Sequence, residues 1–186
     1  MAYLQGNDIK LVKFTDRFVT PKYIDWLNDH DVNKYMCTGR IPISKEEVGN
    51  RNDYCNIMFA IMTHIVVEND AGVELLVGSD SFSEYIGTMS INAIDWINRK
   101  GEIGCMIGNK HYWGAGLATE SMYLLVDYAL NRLNLNKVEC GVVDGNISSI
   151  KMLEKNGFKE YAIIPEDYWV EGKYNDVHRF YRLQGW

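Results

Sequence analysis

Cysteine is scarce in this 186-residue chain. Its four cysteines (Cys37, Cys55, Cys105, Cys140) neither pair at metal-ligand spacing nor form a dense framework, which fits a reducing compartment. Positive charge is also in short supply. Nineteen Lys and Arg against 25 Asp and Glu give a net charge of −6, whereas a duplex-nucleic-acid binder needs a basic face. No apolar run reaches the length of a membrane span, and residues 1–10 lack the apolar core of a signal peptide. Linkers, repeats and low-complexity tracts are missing too. What remains is a chain with 47% hydrophobic and 24% charged residues, ordinary for one soluble, cytoplasmic domain with a real core.

The signals that are present alternate between strand and helix. Residues 9–14 alternate as a half-buried strand does. Thr20-Pro21 reads as an N-cap followed by proline at the first helical position, with Ile24, Trp26, Leu27 and Val32 on the apolar side. Ile41-Pro42 marks a loop, and Ser44-Lys45-Glu46-Glu47 has the spacing of a capping box. Residues 58–67 form a β-rich run, separated from 73–77 by a hairpin-like turn at 69–72. Strands are expected at 85–91, 102–107 and 137–143, with helices over 117–130 and 148–155. Asn156-Gly157 supplies a C-terminal cap. Two last strands, 158–164 and 176–183, are separated by Pro165 and a turn at Gly172. This order predicts a mixed α/β sheet with helices on both faces.

The chain is organised around residues 101–129. A strand ends in a turn at Gly108-Asn109-Lys110, and Trp113-Gly114-Ala115-Gly116 then opens directly into a helix. Glycines let the backbone approach a ligand and take positive φ. The helix start behind them presents unpaired N–H groups and the positive end of the dipole, an anion site. With no acid read in the first residues of that helix, the arrangement suits a diphosphate.

A second motif lies at a fixed distance: Asn146-x-x-Ser149, then Glu154-Lys155-Asn156-Gly157-Phe158. Together the two resemble the GNAT superfamily of N-acetyltransferases. The segment 171–177 is similar to the branch of ribosomal-protein alanine, polyamine and amino-sugar acetyltransferases, as is Trp26-Leu27-Asn28-Asp29 upstream. The resemblance implies a GNAT-like, mostly antiparallel sheet with a splayed parallel strand pair and one acyltransferase domain over 1–186. Residues 1–57 would form its acceptor side and 85–160 its CoA-binding core. It implies acetyl-CoA as co-substrate, no metal, and direct transfer to an amine. The partner would be a small-molecule amine or a protein N-terminus; a homodimer is left open, and nucleic acid and membrane have no role.

Residue by residue, the resemblance places the pyrophosphate on main-chain N–H groups of Gly114, Ala115, Gly116, Leu117, Ala118 and Thr119. Trp113 stands where many members carry Arg or Gln. Met106, Ile107 and Gly108 would meet the pantetheine arm along the strand edge, with the Met106 side chain in the core. Asn146 reads both as a helix cap and as a CoA contact. Many members use a tyrosine as partner of the leaving thiolate; Leu153 stands there instead, and the resemblance to the alanine-acetylating branch implies Ser149 in that role, with a packing or capping serine as the alternative. For the base the candidates are Glu102, Glu139, Asp176 and His178, with Glu102 and Glu139 on the two strands that should flank the reacting end. Tyr23, Trp26, Tyr35 and the loop 36–44 would wall the acceptor site, and Arg40, Lys45 and Arg51 would meet an anionic nucleotide sugar.

A magnitude bears on the acceptor. A lysine-like amine of pKa about 10.4 costs about 4–5 kcal/mol to deprotonate at pH 7, against about 1 kcal/mol for an α-amine near 7.7–8.0. Without an obvious strong base, the sequence tilts from lysine and polyamines toward an amino-sugar-type metabolite, with a protein N-terminus second. Three other classes compete with this reading. A dinucleotide oxidoreductase would need its glycines directly after the strand, but several residues intervene and Thr119 takes the third position. A CoA-binding module without catalysis would share the fold, and a peptide-binding protein would need an exposed apolar groove.

Overall fold

The structure, a computed structural model, describes residues 4–49, 57–64 and 84–185. Eight strands form one sheet in the order β1-β2-β3-β4-β5-β6-β8-β7. They are β1 (Leu4–Gln5), β2 (Ile9–Lys13), β3 (Ile57–Thr63), β4 (Glu84–Asp95), β5 (Lys100–Ile107), β6 (Lys137–Val143), β7 (Lys159–Val170) and β8 (Lys173–Leu183). Every neighbouring pair is antiparallel except β5–β6. The expected hairpin turn at 69–72 and the strand at 73–77 lie outside the described residues.

The parallel pair joins only at Lys100↔Lys137, Gly101↔Val138 and Glu102↔Glu139. Beyond that point β5 continues to Ile107 and β6 to Val143 without pairing to each other. The sheet therefore splits into a V whose apex is the Glu102/Glu139 pair, and the resemblance's splayed strands are present. Each arm keeps its outer partner, β4 for β5 and β8 for β6.

Helices cover both faces. On one lie α4 (Leu117–Asp127) and α5 (Ile147–Lys155). They bury Leu117, Met122, Leu125, Val126 and Leu153 against Ile9, Phe59, Met89, Ile91, Ile103, Val138 and Phe180. A five-residue π-turn at Tyr128–Arg132 closes the long helix expected over 117–130. On the other face α1 (Pro21–Asn28) and α3 (Lys45–Gly49) pack Tyr23, Trp26, Leu27, Ile43 and Val48 onto Met106. A short α2 (His30–Asn33) follows α1.

The local signals act as chemistry dictates. The Thr20 hydroxyl accepts from the Tyr23 N–H with Pro21 at the first position. Ser44 and Glu47 bond each other's N–H groups in a reciprocal capping box. At the end of α5, Phe158 N–H reaches back to the Leu153 carbonyl with Gly157 at φ +74, a left-handed cap.

Two expectations need correction. Pro165 does not end its strand: β7 lies at the edge of the sheet, where a missing N–H is tolerated, and a register shift between Ile164 and Tyr168 absorbs it. The turn expected at Gly172 is present: the hairpin turns at Glu171 and Gly172, both at positive φ. Tyr23 and Trp26 do not wall an open site either. Both are buried in an aromatic cluster with Phe14, Phe18 and Tyr85, and Trp26 fills the space above Gly108.

Candidate active site

The α4 side of the V is built from main chain. After β5, a 3-10 turn over Lys110–Tyr112 is pinned by the Lys110 ammonium, which bridges Asp29 (2.8 Å) and Asp31 (2.9 Å) at the junction of α1 and α2. Gly114 and Gly116 then take φ +80 and +83, and a Cβ at either would meet open space. Packing does not demand these glycines; the left-handed backbone and free approach from outside do. Thr119 and Glu120 N–H groups bond back to Gly116, while those of Gly116, Leu117 and Ala118 have no backbone acceptor among the described residues. An anion placed there would satisfy them.

Beside the loop opens a cavity of about 450 Å³ lined by Ala115, Gly116, Thr119, Tyr123, Lys155 and Asn156, among others. Asn156 is 5% exposed, and its amide donates to the Thr119 and Met152 carbonyls. It thus ties the end of α5 to the first turn of α4 and fixes the loop; the sequence showed it only as a cap. Tyr123 and Lys155 were likewise not expected here.

One expectation is overturned: an acid does sit in the first turn of α4. Glu120 lines the same cavity beside the loop, and its carboxylate accepts from the N–H groups of Asn7 and Asp8 in the β1–β2 turn. Its charge is spent on another element.

Along the open edge of β5, strand alternation decides which groups face the gap. Met106 pairs with Thr88, and Gly108 N–H bonds Ile86, so both turn their main chain to β4. Cys105 and Ile107 face the gap instead, which corrects the expectation for Met106 and Gly108. The Trp113 indole N–H donates to the Ile107 carbonyl at 2.8 Å. Trp113 is therefore a tie between loop and strand, although nearly half of it stays exposed.

Asn146 is a cap: its side chain accepts from the Ser149 N–H. The half-buried Ser149 side chain has no protein hydrogen bond among the described residues, and Leu153 is wholly buried in the core. Cys105 and Cys140 pack on this same face, and burial pushes both thiols up to about 12.

The opposite, α1 side of the V is built from side chains. Glu102 and Glu139 stand in register at the apex. The Arg179 guanidinium donates to Glu102 at 2.7 Å, reaching over Gly141, where a Cβ would meet it at 2.8 Å. Burial works against the Arg179 charge, but bonds to Tyr161 and Glu102 hold it protonated. Glu139 accepts from Lys137 and from the Tyr161 hydroxyl, each at 3.0 Å. Burial pushes the Glu139 carboxyl up, but those bonds and the Lys137 and Lys100 ammonium groups outweigh it and hold it below its ordinary value.

The other expected bases lie apart from the apex. Asp176 accepts from the Glu166 N–H, and His178 sits between Glu160 and Asp144. Tyr35 is half-buried against Val143 and Tyr168, its hydroxyl 3.4 Å from where a Gly145 Cβ would sit. Arg40 stacks on Tyr168 at 4.0 Å. Lys45 is exposed at the start of α3, and Arg51 lies outside the described residues.

A split sheet with a glycine loop at its mouth has direct counterparts. Residues 9–159 match the Acetyltransferase (GNAT) domain family. The chain belongs to the GNAT acetyltransferases. As a GNAT enzyme it is an acyltransferase that takes its acetyl group from acetyl-CoA. The "Uncharacterized N-acetyltransferase p20" of Bacillus licheniformis is 30% identical over 98% of this chain and 95% of its own. The spermidine N(1)-acetyltransferase of Vibrio cholerae is 30% identical over 62% of this chain and 66% of its own. Among solved structures, the Vibrio cholerae spermidine N-acetyltransferase in complex with CoA and spermine superposes with a TM-score of 0.76 at 22% identity, covering 96% of this chain and 97% of the other. A ribosomal L7/L12 alpha-N-protein acetyltransferase in complex with coenzyme A gives 0.75 at 17% identity, covering 96% and 95%. At those identities the structures establish the GNAT fold alone. Among the described residues no group of His, Cys, Asp and Glu could hold a metal ion, and no helix is long and apolar enough to cross a membrane.

Proposed function

We propose that this chain acetylates a primary amine of low basicity, foremost that of a small amino-sugar-type metabolite. One observation carries this reading. Both carboxylates at the apex of the V are matched by cations, Glu102 by Arg179 and Glu139 by Lys137. Such a site has neither the net negative charge that gathers a polycation nor a carboxylate basic enough for a lysine-like amine. An amine with pKa near 8 is already neutral in a useful fraction at pH 7. A protein N-terminus shares that acidity and is the second reading, supported by a relative named a putative ribosomal N-acetyltransferase, 34% identical over 49% of this chain.

In this reading the N–H groups of Gly116, Leu117 and Ala118, left without a backbone acceptor among the described residues, hold the diphosphate of acetyl-CoA, and the open edge at Cys105 and Ile107 takes the pantetheine amides. The thioester then lies in the gap, where main-chain N–H groups can stabilise the developing oxyanion. The acceptor nitrogen enters from the α1 side. Its C–N bond forms as the C–S bond breaks, its proton passes to water held by Glu102, and the leaving thiolate is met by the Ser149 hydroxyl. No covalent enzyme intermediate is needed. A turnover screen of acetyl-CoA against amino sugars, N-terminal peptides, amino acids and polyamines tests the assignment. Amino sugars should give the highest kcat/KM, and a clear preference for polyamines would overturn it.

A further inference from the structure

The α1 face beside the apex carries a row of polar side chains that the transfer chemistry does not use. Thr88, Ser90 and Asn92 point there from β4, opposite Met106, Gly104 and Glu102 of β5. Thr88 is 7% and Ser90 9% exposed, unusual for hydroxyls in a sheet whose other face is an apolar core. Gly104 makes the row possible: a Cβ there would come within 2.8 Å of the Ser90 Oγ and 3.3 Å of the Asn92 Nδ2. Gly141 does the same for Arg179 across the gap. The two glycines thus let Ser90, Asn92 and Arg179 lie close to the sheet, as the polar floor of a trough beside the apex.

Asn92 is the least settled member. Its Oδ1 is buried without a donor, and its carboxamide makes no hydrogen bond to the described protein. A buried amide left unpaired is costly and calls for an explanation. Its last torsion is soft, so a small rotation turns the group into the trough. Just after it, Ala93 takes φ +46 in a register shift of β4, a bulge that re-aims neighbouring side chains.

We infer that Ser90, Asn92 and Arg179, seated over Gly104 and Gly141, read hydroxyl or amide groups of the acceptor. The inference rests on the acetyl-transfer reading above and adds the residues that select the substrate. The trough offers acceptors (Ser90 Oγ, Asn92 Oδ1) and donors (Asn92 Nδ2, Arg179) within one short span. A hydroxyl both donates and accepts, so a hydroxylated amine complements every group. A bare polyamine can only donate and would leave the Arg179 guanidinium facing an ammonium.

The full-length enzyme and its Asn92→Ala, Ser90→Ala and Gly104→Ala variants are assayed with acetyl-CoA and two amines of low basicity. Glucosamine carries hydroxyls; glycine ethyl ester does not. The expected result is a rise of about fivefold to tenfold in glucosamine KM, the worth of one or two hydrogen bonds. The KM for acetyl-CoA and the kinetics with glycine ethyl ester should stay at wild-type values, which also certifies the fold of each variant. An unchanged glucosamine KM, an equal rise for both amines, or a wild-type preference for glycine ethyl ester overturns the recognition. If the wild type binds acetyl-CoA by calorimetry yet transfers to no amine, the acetyl-transfer reading falls, and the recognition with it.

Discussion

The two sides of the V are built on opposite principles. On the α4 side the working groups are main-chain N–H donors, and the side chains near them are either bonded to another element, as Glu120 is, or tie the loop down, as Asn156 and Trp113 do. On the α1 side the main chain is consumed in strand pairing, and the chemistry rests on side chains from β4, β5, β6, β7 and β8. A site of backbone donors is indifferent to most substitutions but intolerant of a changed φ. A site of paired charges keeps its backbone through any conservative change but loses its balance when one partner goes. The common part of the reaction, holding acetyl-CoA, thus falls to the first kind of site, and the acceptor-specific part to the second.

The widest separation between the sides should come from Gly116→Val. Nothing crowds that position, so the effect is confined to the backbone: a β-branched residue at φ +83 is strained by about 1–2 kcal/mol or more. The helix start shifts, and a misplacement of about 1 Å can cost 10²-fold. Acetyl-CoA KM should rise about a hundredfold with acceptor KM unchanged; equal losses on both would erase the division. Ser149→Ala comes next. Its hydroxyl has no protein hydrogen bond among the described residues, so a proton-donating role predicts a fall in kcat of about tenfold to a hundredfold with both KM values intact. Unchanged kcat would remove the serine from the mechanism. Trp113→Phe should do least on this side. It deletes one indole bond to Ile107, worth about 0.5–1.5 kcal/mol, and acetyl-CoA KM should rise only about threefold in steady-state assays.

The same contrast decides what could be read from the chain. Gly114, Gly116 and the helix behind them form a local pattern, because a positive φ and a helix start are fixed within a few residues. Thr20-Pro21 and Ser44-Glu47 were legible for the same reason. The Arg179–Glu102 pair spans 77 positions and depends on the β6–β8 register that sets Arg179 opposite Gly141. Nothing in residues 176–183 states that register. The only available signal was alternation, which places Arg179 with Val177 and Tyr181 on one face. Glu120 was misjudged because its partners, the N–H groups of Asn7 and Asp8, lie more than a hundred residues away.

The finest discrimination concerns Glu139. It was read in the sequence as a candidate base, yet the structure surrounds it with Lys137 and Tyr161 as a buttress for the apex. A carboxyl held below its ordinary value of 4.5 releases its proton more easily in the folded state than in the unfolded one. Its contribution to stability is therefore complete above the unfolded value and disappears as pH falls through the folded one. Glu139→Gln cannot titrate, so it lacks that contribution at pH 7 and lacks nothing below the folded value. The pair is partly exposed, Lys137 at 32% and Glu139 at 16%, and worth about 1 kcal/mol or less, which for a domain of this size moves Tm by about 2–4 °C at most. Thermal melts of the two proteins should differ by that amount at neutral pH and converge as pH falls through the folded value. A gap that persists below that value would assign the loss to packing, while a large fall in kcat at unchanged Tm would return Glu139 to the role of base and remove the electrostatic balance on which the choice of a weakly basic acceptor stands.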